Sequence, residues 1–208
     1  MVAAAGPSAG AATTPSELRA MPFAPLYSVR RAGLADVAGV ARLSVLADRE
    51  ADAELPSLKS ATELSAPEIA LRLLDHLDDG DALYVAERER GVVGFAHVSG
   101  LMVGDGGHLV EVRRVYVTPE LRRRGLGRQL LRLIQRDLHR RPNPPALRAW
   151  AGVGSIAEQF LQAVGATAVR QRWKVGSGGI AVRGVVYGLG SRQSHTARAP
   201  VVRKRAFA

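Results

Sequence analysis

Val112–Leu131 reads VRRVYVTPELRRRGLGRQLL, and the order of its parts decides the fold. An apolar run (Val112, Val115, Val117) ends at Thr118-Pro119. Arg122, Arg123 and Arg124 then lead into Gly125-Leu126-Gly127, and an amphipathic stretch follows at once. Strand, basic glycine loop and helix start, in that order, build an anion site. Glycines let backbone N–H groups approach a phosphate, and a helix N-terminus adds about half a positive charge. Arginines add formal charge and forked donors. The ligand this spacing implies carries a pyrophosphate.

Working outward, 208 residues allow one domain with tails. At 47% hydrophobic the chain can bury a substantial core. No uninterrupted apolar run is long enough for a membrane span. The first residues lack the basic start and Leu-rich centre of a secretory leader, so a cytoplasmic location is expected. The chain has no cysteine, which removes disulfides, a thiol nucleophile and cysteine-based metal sites. His76, His97, His108, His139 and His195 show no metal spacing, so no metal is expected. His97 and His108 lie on or beside strands. A satisfied buried histidine is the simpler reading of the first, and an acid/base helper is a minor reading of the second.

The net charge of +10 taken alone would suggest nucleic acid. Its distribution argues against that. Residues 48–89 hold twelve acids and four bases, whereas residues 111–148 hold eleven arginines against Glu111, Glu120 and Asp137. Residues 191–208 add five more bases. Nucleic acid is therefore expected only through that tail, if at all. Residues 1–25 are rich in Ala, Gly, Pro and Ser and are expected to be disordered, as is the basic tail. The domain is expected over 26–190.

Between the tails strands and helices alternate. Leu26–Arg30 reads as a strand and Gly33–Arg49 has helical spacing. Ser65-Ala-Pro-Glu68 has the pattern of a helix start, and Gly80 stops that helix. Ala82–Glu87, Val92–Val98 and Leu109–Val117 read as strands. Gly127–His139 is an amphipathic helix ended by Pro142-Asn-Pro-Pro145. Leu147–Ala151 is a strand, Ser155–Val164 a short helix, and Ala168–Val175 and Val182–Leu189 the last strands. The order is βααβββαβαββ, an α/β domain around a mixed sheet.

On these residues the chain resembles the GNAT superfamily of acyl-CoA-dependent N-acetyltransferases, over roughly Leu26–Leu189. The family signature Gln/Arg-x-x-Gly-x-Gly/Ala reads here Arg122-Arg123-Arg124-Gly125-Leu126-Gly127. Its context, a strand ending in Val-Thr-Pro-Glu before and a Leu-rich helix after, makes the match specific. The resemblance implies a mixed, mostly antiparallel sheet flanked by helices, with acetyl-CoA as cosubstrate. The loop Arg122–Gly127, with Arg128 and Gln129 in the first helical turn, matches the pyrophosphate site. Val115 and Val117 match backbone contacts to the pantetheine arm. Glu111 matches the general base of histone-type members. The competing reading of Glu111 is a strand glutamate paired with Arg113 or Arg114. Period-2 alternation puts Glu111, Arg113, Val115 and Val117 on one face and turns Tyr116 away from Glu111.

The sequence departs from the family at one position. Leu161, four residues before Gly165, stands where many members carry a tyrosine that protonates the leaving thiolate. Tyr116, Tyr187 or water remain as proton sources. Trp150 and Trp173 read as core or rim packing. In the family the first two helices wall the acceptor site, and here they include Asp48, Asp52 and Glu54. An acidic wall implies a cationic amine acceptor, a small molecule or a protein group. A solvated helix face is the alternative. Sheet-edge homodimers are common in the family. The rival reading is a domain that binds acyl-CoA as a sensor or interaction module without turnover.

Overall fold

The computed structural model describes residues 27–58, 63–89, 91–102, 108–176 and 179–190. The tails, residues 103–107 and the side chain of His108 lie outside the described residues. The elements are β1 (Ser28–Arg31), α1 (Val37–Glu54), α2 (Ala66–Asp78), β2 (Ala82–Arg88), β3 (Gly91–Met102) and β4 (His108–Val117). After them come α3 (Leu126–His139), β5 (Ala146–Gly152), α4 (Ile156–Ala163), β6 (Thr167–Val175) and β7 (Ala181–Leu189). The order of elements is the one the periodicity gives. Helix α1 runs five residues beyond Arg49, through the acid-rich stretch to Glu54.

Seven strands form one sheet in the order β1-β2-β3-β4-β5-β7-β6. Only β4 and β5 run parallel; the other pairs are antiparallel. That is the mixed, mostly antiparallel α/β domain of the sequence reading. Helices cover both faces. On one, α3 buries Leu126, Leu130, Leu131, Leu133, Ile134 and Leu138 against Tyr84, Ala96, Val98, Val110 and Val112. On the other, α1 and α2 bury Val37, Val40, Leu43, Ile69 and Leu73 against Leu83, Val85, Phe95 and Tyr116. Each such aliphatic side chain is worth about 1.5–3 kcal/mol on burial.

Local signals set the helix starts. Ser65 opens α2 with a capping box: its amide donates to Glu68 Oε2 at 2.8 Å, and its hydroxyl donates to the same oxygen at 2.6 Å. Ser155 caps α4, its Oγ accepting from the Glu158 amide at 3.1 Å. Asp36 accepts the Gly33 amide at 2.8 Å and is clamped by both terminal nitrogens of Arg30, at 2.7 and 2.8 Å.

Two irregularities shape the centre of the sheet. First, β4 carries a bulge. His97 pairs with Arg114 and the next residue, Val98, pairs with Val112, so Arg113 is an extra residue without a partner on β3. Second, the β4–β5 ladder covers only Leu109↔Ala146 to Val112↔Ala149, although both strands continue. Beyond that point the strands part, and the β5-facing backbone of Arg113–Val117 is left without a ladder.

Candidate active site

The bulge changes which side chains share a face. Directly opposed residues in a ladder point the same way, so Val112, Val115 and Val117 sit with Val98, Ala96 and Gly94 toward α3. Glu111, Arg114 and Tyr116 sit with Ser99, His97 and Phe95 toward α1 and α2. The expected common face of Glu111, Arg113, Val115 and Val117 is therefore corrected, because one inserted residue inverts the alternation between them. Tyr116, expected to point away from Glu111, lies on its side of the sheet. Val115 and Val117 stay half-buried against the core cluster under α3, at the wall of the gap.

At the end of β4 the chain makes a 3₁₀ turn (Pro119–Leu121) and enters the glycine loop. Arg123 has φ 62° and Gly125 φ 83°, so the loop alternates hand and turns its amides toward one side. For Gly125, that left-handed φ is the reason for glycine; nothing lies within 4 Å of where its Cβ would be. The first intrahelical bond of α3 is Gln129 N–H to Gly125 O, at 3.0 Å. The amides of Leu126, Gly127 and Arg128 therefore open out of the helix N-terminus, where the dipole favours an anion. Leu126 itself is a core residue, 1% exposed. Gly127 has a different reason to be glycine from the one the loop suggests. A Cβ there would sit 3.0 Å from the Phe160 ring on α4 and 3.8 Å from Val115, so it permits the close approach of α3 to α4.

The arginine side chains do not converge on the loop. Arg122 folds back onto β4 and α1: Nε donates to Val117 O at 2.9 Å, and NH2 pairs with Glu50 Oε2 at 2.5 Å. Its guanidinium lies 5.3 Å from the centre of the Tyr116 ring. Arg124 donates to Tyr27 Oη at 3.3 Å, and Arg128 to the Ala163 carbonyl at the end of α4, at 2.8 Å. Arg123 is exposed. The loop thus offers backbone amides, while Arg122, Arg124 and Arg128 tie it to its neighbours.

Glu111 is half-buried on β4, opposite Ser99 of β3 and in register with Arg148 of β5. Neither arginine proposed as its partner takes it. Arg114 pairs with Asp48 at 2.6 Å, and Arg113 lies 3.8 Å from Asp81. Among the described residues Glu111 makes no hydrogen bond or ion pair. Lys174, on β6, is the cation whose field it shares. Ser99 is 1% exposed, and its hydroxyl has no hydrogen-bond partner among the described residues.

The remaining hydroxyls and the histidine are engaged. Tyr116 donates to Glu50 Oε1 at 2.9 Å, and burial first and that carboxylate second push its phenol up to about 12. Tyr187, opposite Ala149 in the ladder, donates to Glu158 Oε1 at 2.9 Å on the α4 side, with its pKa raised mainly by burial. Leu161 is 4% exposed within the core under α3. His97 Nε2 lies 2.8 Å from Asp81 Oδ2, the satisfied buried histidine the sequence suggests. Burial holds its pKa below the usual 6.5, outweighing the opposing pull of Asp81.

The acids of α1 are also engaged. Asp48 binds Arg114, Glu50 binds Arg122 and Tyr116, and Glu54 accepts the Ile156 amide at the start of α4. Sequence reasoning missed these pairs, because charge counting by segment does not show which helix faces which strand. Trp150 packs, as its place in a late strand suggests, and its ring closes over Gly184: a Cβ there would come within 2.3 Å of it.

Two concavities of about 480 and 330 Å³ lie away from this region, one beside Arg42, Arg49 and Glu63, the other at the C-terminal end of α3 near Tyr84 and Asp137. Neither borders the loop or the open end of β4 and β5. Among the described residues no cluster of three or more His, Asp or Glu could hold a metal, and no helix is long and apolar enough to cross a membrane.

Comparison with known proteins agrees with this geometry. Residues 79–165 match the family model described as the acetyltransferase (GNAT) domain. The fold is similar to that of yncA from Salmonella typhimurium, solved with its cofactor acetyl-CoA. That match has a TM-score of 0.63 and 20% identity, covering 84% of this chain and 99% of that one. Ribosomal-protein-alanine N-acetyltransferase from Brucella melitensis matches with a TM-score of 0.61 and 25% identity, over 78% of this chain and 98% of that one. NAA60 from Arabidopsis thaliana, in complex with acetyl-CoA, matches with a TM-score of 0.58 and 12% identity, over 78% and 98%. No protein of curated function is similar to the chain in sequence. The chain shares the fold of these solved acetyltransferases, and its residues 79–165 match the GNAT domain model.

Proposed function

We propose that the protein transfers an acetyl group from acetyl-CoA directly to an amine. The observation that carries this reading is the parting of β4 from β5 beyond Val112↔Ala149, beside a helix N-terminus with open amides. In this reading the open amides between Arg123 and Arg128 bind the pyrophosphate, those of Arg122 and Gln129 being bonded within the turn and the helix, and the backbone of Arg113–Val117 left unladdered beside β5 aligns the pantetheine arm. The neighbours solved with acetyl-CoA, from Salmonella typhimurium and Arabidopsis thaliana, support that ligand.

Glu111 is the proposed base. The amine must lose a proton to attack the thioester carbonyl, and an unpaired, half-buried carboxylate on the opened strand can take it. The new bond is C–N, the broken bond C–S, and the departing thiolate is protonated to CoA. No acyl-enzyme on cysteine can form, since the chain has none. Thiol release from acetyl-CoA over a panel of amines tests the reading: amine-dependent release supports it, and no release with any amine contradicts it. One observation favours the rival, a domain that binds acyl-CoA without turnover: Leu161 fills a core position and offers no hydroxyl to the leaving group. Tight acetyl-CoA binding with no release in the same assay is its signature.

A further inference from the structure

The floor on the α1 side of the opened strands is basic. Lys174 and Arg172 of β6, Arg148 of β5 and Arg113 of β4 stand around Glu111. Trp150 forms the floor's centre, with Nε1 donating to the Arg172 carbonyl at 3.3 Å. Lys174 Nζ rests 4.3 Å from the centre of the Trp150 ring. The first residues after α1, Leu55–Leu58, are laid on this floor as a ceiling. Leu55 Cδ1 would lie 2.9 Å from a Cβ on Gly152, and the Ser57 carbonyl 1.9 Å from one on Gly176, so only glycines accept it there.

Lys174 is half-buried, and burial lowers its pKa from the usual 10.5. Among the described residues no carboxylate lies within ion-pair distance of it. Besides the Trp150 face, only the field of Glu111 offsets that burial, and a desolvated ammonium is unfavourable unless an anion at hydrogen-bond distance joins it. The acids that could have answered it are elsewhere: Asp48 on Arg114, Glu50 on Arg122, Glu54 on the start of α4. Asp52 is the one acid of α1 with neither an ion pair nor a hydrogen bond among the described residues.

We propose that this floor is the acceptor subsite and that the acceptor is an amine carrying a carboxylate, which Lys174 binds over Trp150 while Glu111 faces the amine. This rests on the acyl-transfer reading above and reverses the cationic acceptor that the acid-rich segment suggests. A purely cationic acceptor would meet Lys174, Arg172 and Arg113 with only Glu111 in its favour. An acceptor with its own carboxylate neutralises Lys174 as it enters. The cations also favour the uncharged, nucleophilic form of the nearby amine.

The test is equilibrium binding of product-like probes, which needs no turnover. N-acetylglycine, N-acetylphenylalanine and the corresponding amides are titrated calorimetrically into the full chain, with and without CoA. At least one acid should bind about tenfold or more tighter than its amide, the scale of a charge-assisted hydrogen bond. Lys174→Met should remove that preference and Lys174→Arg should keep most of it, which separates charge from folding. An amide that binds as well as its acid, a preference that survives Lys174→Met, or no binding of either acid at millimolar concentration overturns the proposal. Tighter binding of a diamine than of the acids, weakened by Asp52→Asn, would restore the cationic acceptor. Titration of acetyl-CoA in the same cell, with thiol release, reports separately on the acyl-transfer reading.

Discussion

Insertion of Arg113 into β4 is what places Glu111, Arg114 and Tyr116 together on the α1 side and leaves Val115 and Val117 on the α3 side. From that placement, Glu111→Gln should lower kcat by about 10²–10⁴-fold at neutral pH and leave acetyl-CoA affinity nearly unchanged. The loss should shrink as pH approaches the acceptor's own pKa, because free amine needs no base. Turnover equal to the native chain across pH would remove Glu111 from the mechanism. Arg122 is argued to pin the loop to α1. Arg122→Gln and Glu50→Gln, singly and together, should show a coupling of no more than about 1 kcal/mol in urea unfolding, since both side chains are about a third or more exposed. Additive effects would mean the pair contributes nothing.

Between elements, the α3–α4 approach and the α2–β3 seam each give a measurable consequence. Gly127→Ala pushes a methyl against Phe160, so it should stabilise the chain by less than the roughly 1 kcal/mol an unhindered helical Gly→Ala gives, and Phe160→Leu should restore part of that gain. Thermal unfolding of the three variants decides this; a double variant no better than the sum of the singles would contradict the contact. Burial keeps His97 neutral in the fold, facing Asp81, His76 of α2 and Arg113 of β4. Its folded pKa lies below the usual 6.5, so below that pH the unfolded chain binds the extra proton first. Its contribution should be complete above pH 6.5, fall as pH drops through it, and level off below the folded pKa. His97→Gln should flatten that part of the curve, and an unchanged pH slope would show that another group is responsible. The element order was legible because periods of 2 and 3.6 were unbroken and the capping signals at Ser65 and Ser155 were strong. The bulge was not: one inserted residue leaves no mark in composition, and Arg113 looks like any outward strand residue.

At the scale of the molecule, a seven-stranded sheet is covered on both faces, and its one parallel pair opens where the glycine loop arrives. The shape of the loop could be read in advance because it lies in contiguous sequence and in the left-handed turn that Gly125 permits. The acceptor side could not, because it depends on which charges meet in space. The acids of α1 meet Arg114 of β4, Arg122 of the glycine loop and the start of α4, leaving Lys174 of β6 beside Glu111. The central claim is that acetyl-CoA lies along the opened edge of β4 with its pyrophosphate on the N-terminus of α3. Amide hydrogen exchange with and without acetyl-CoA tests it most directly, since bound cosubstrate would protect the backbone groups that receive it. Protection concentrated in Arg113–Val117 and Arg122–Gln129 is the predicted result. Binding without protection in either segment, or no binding at all, would contradict the account.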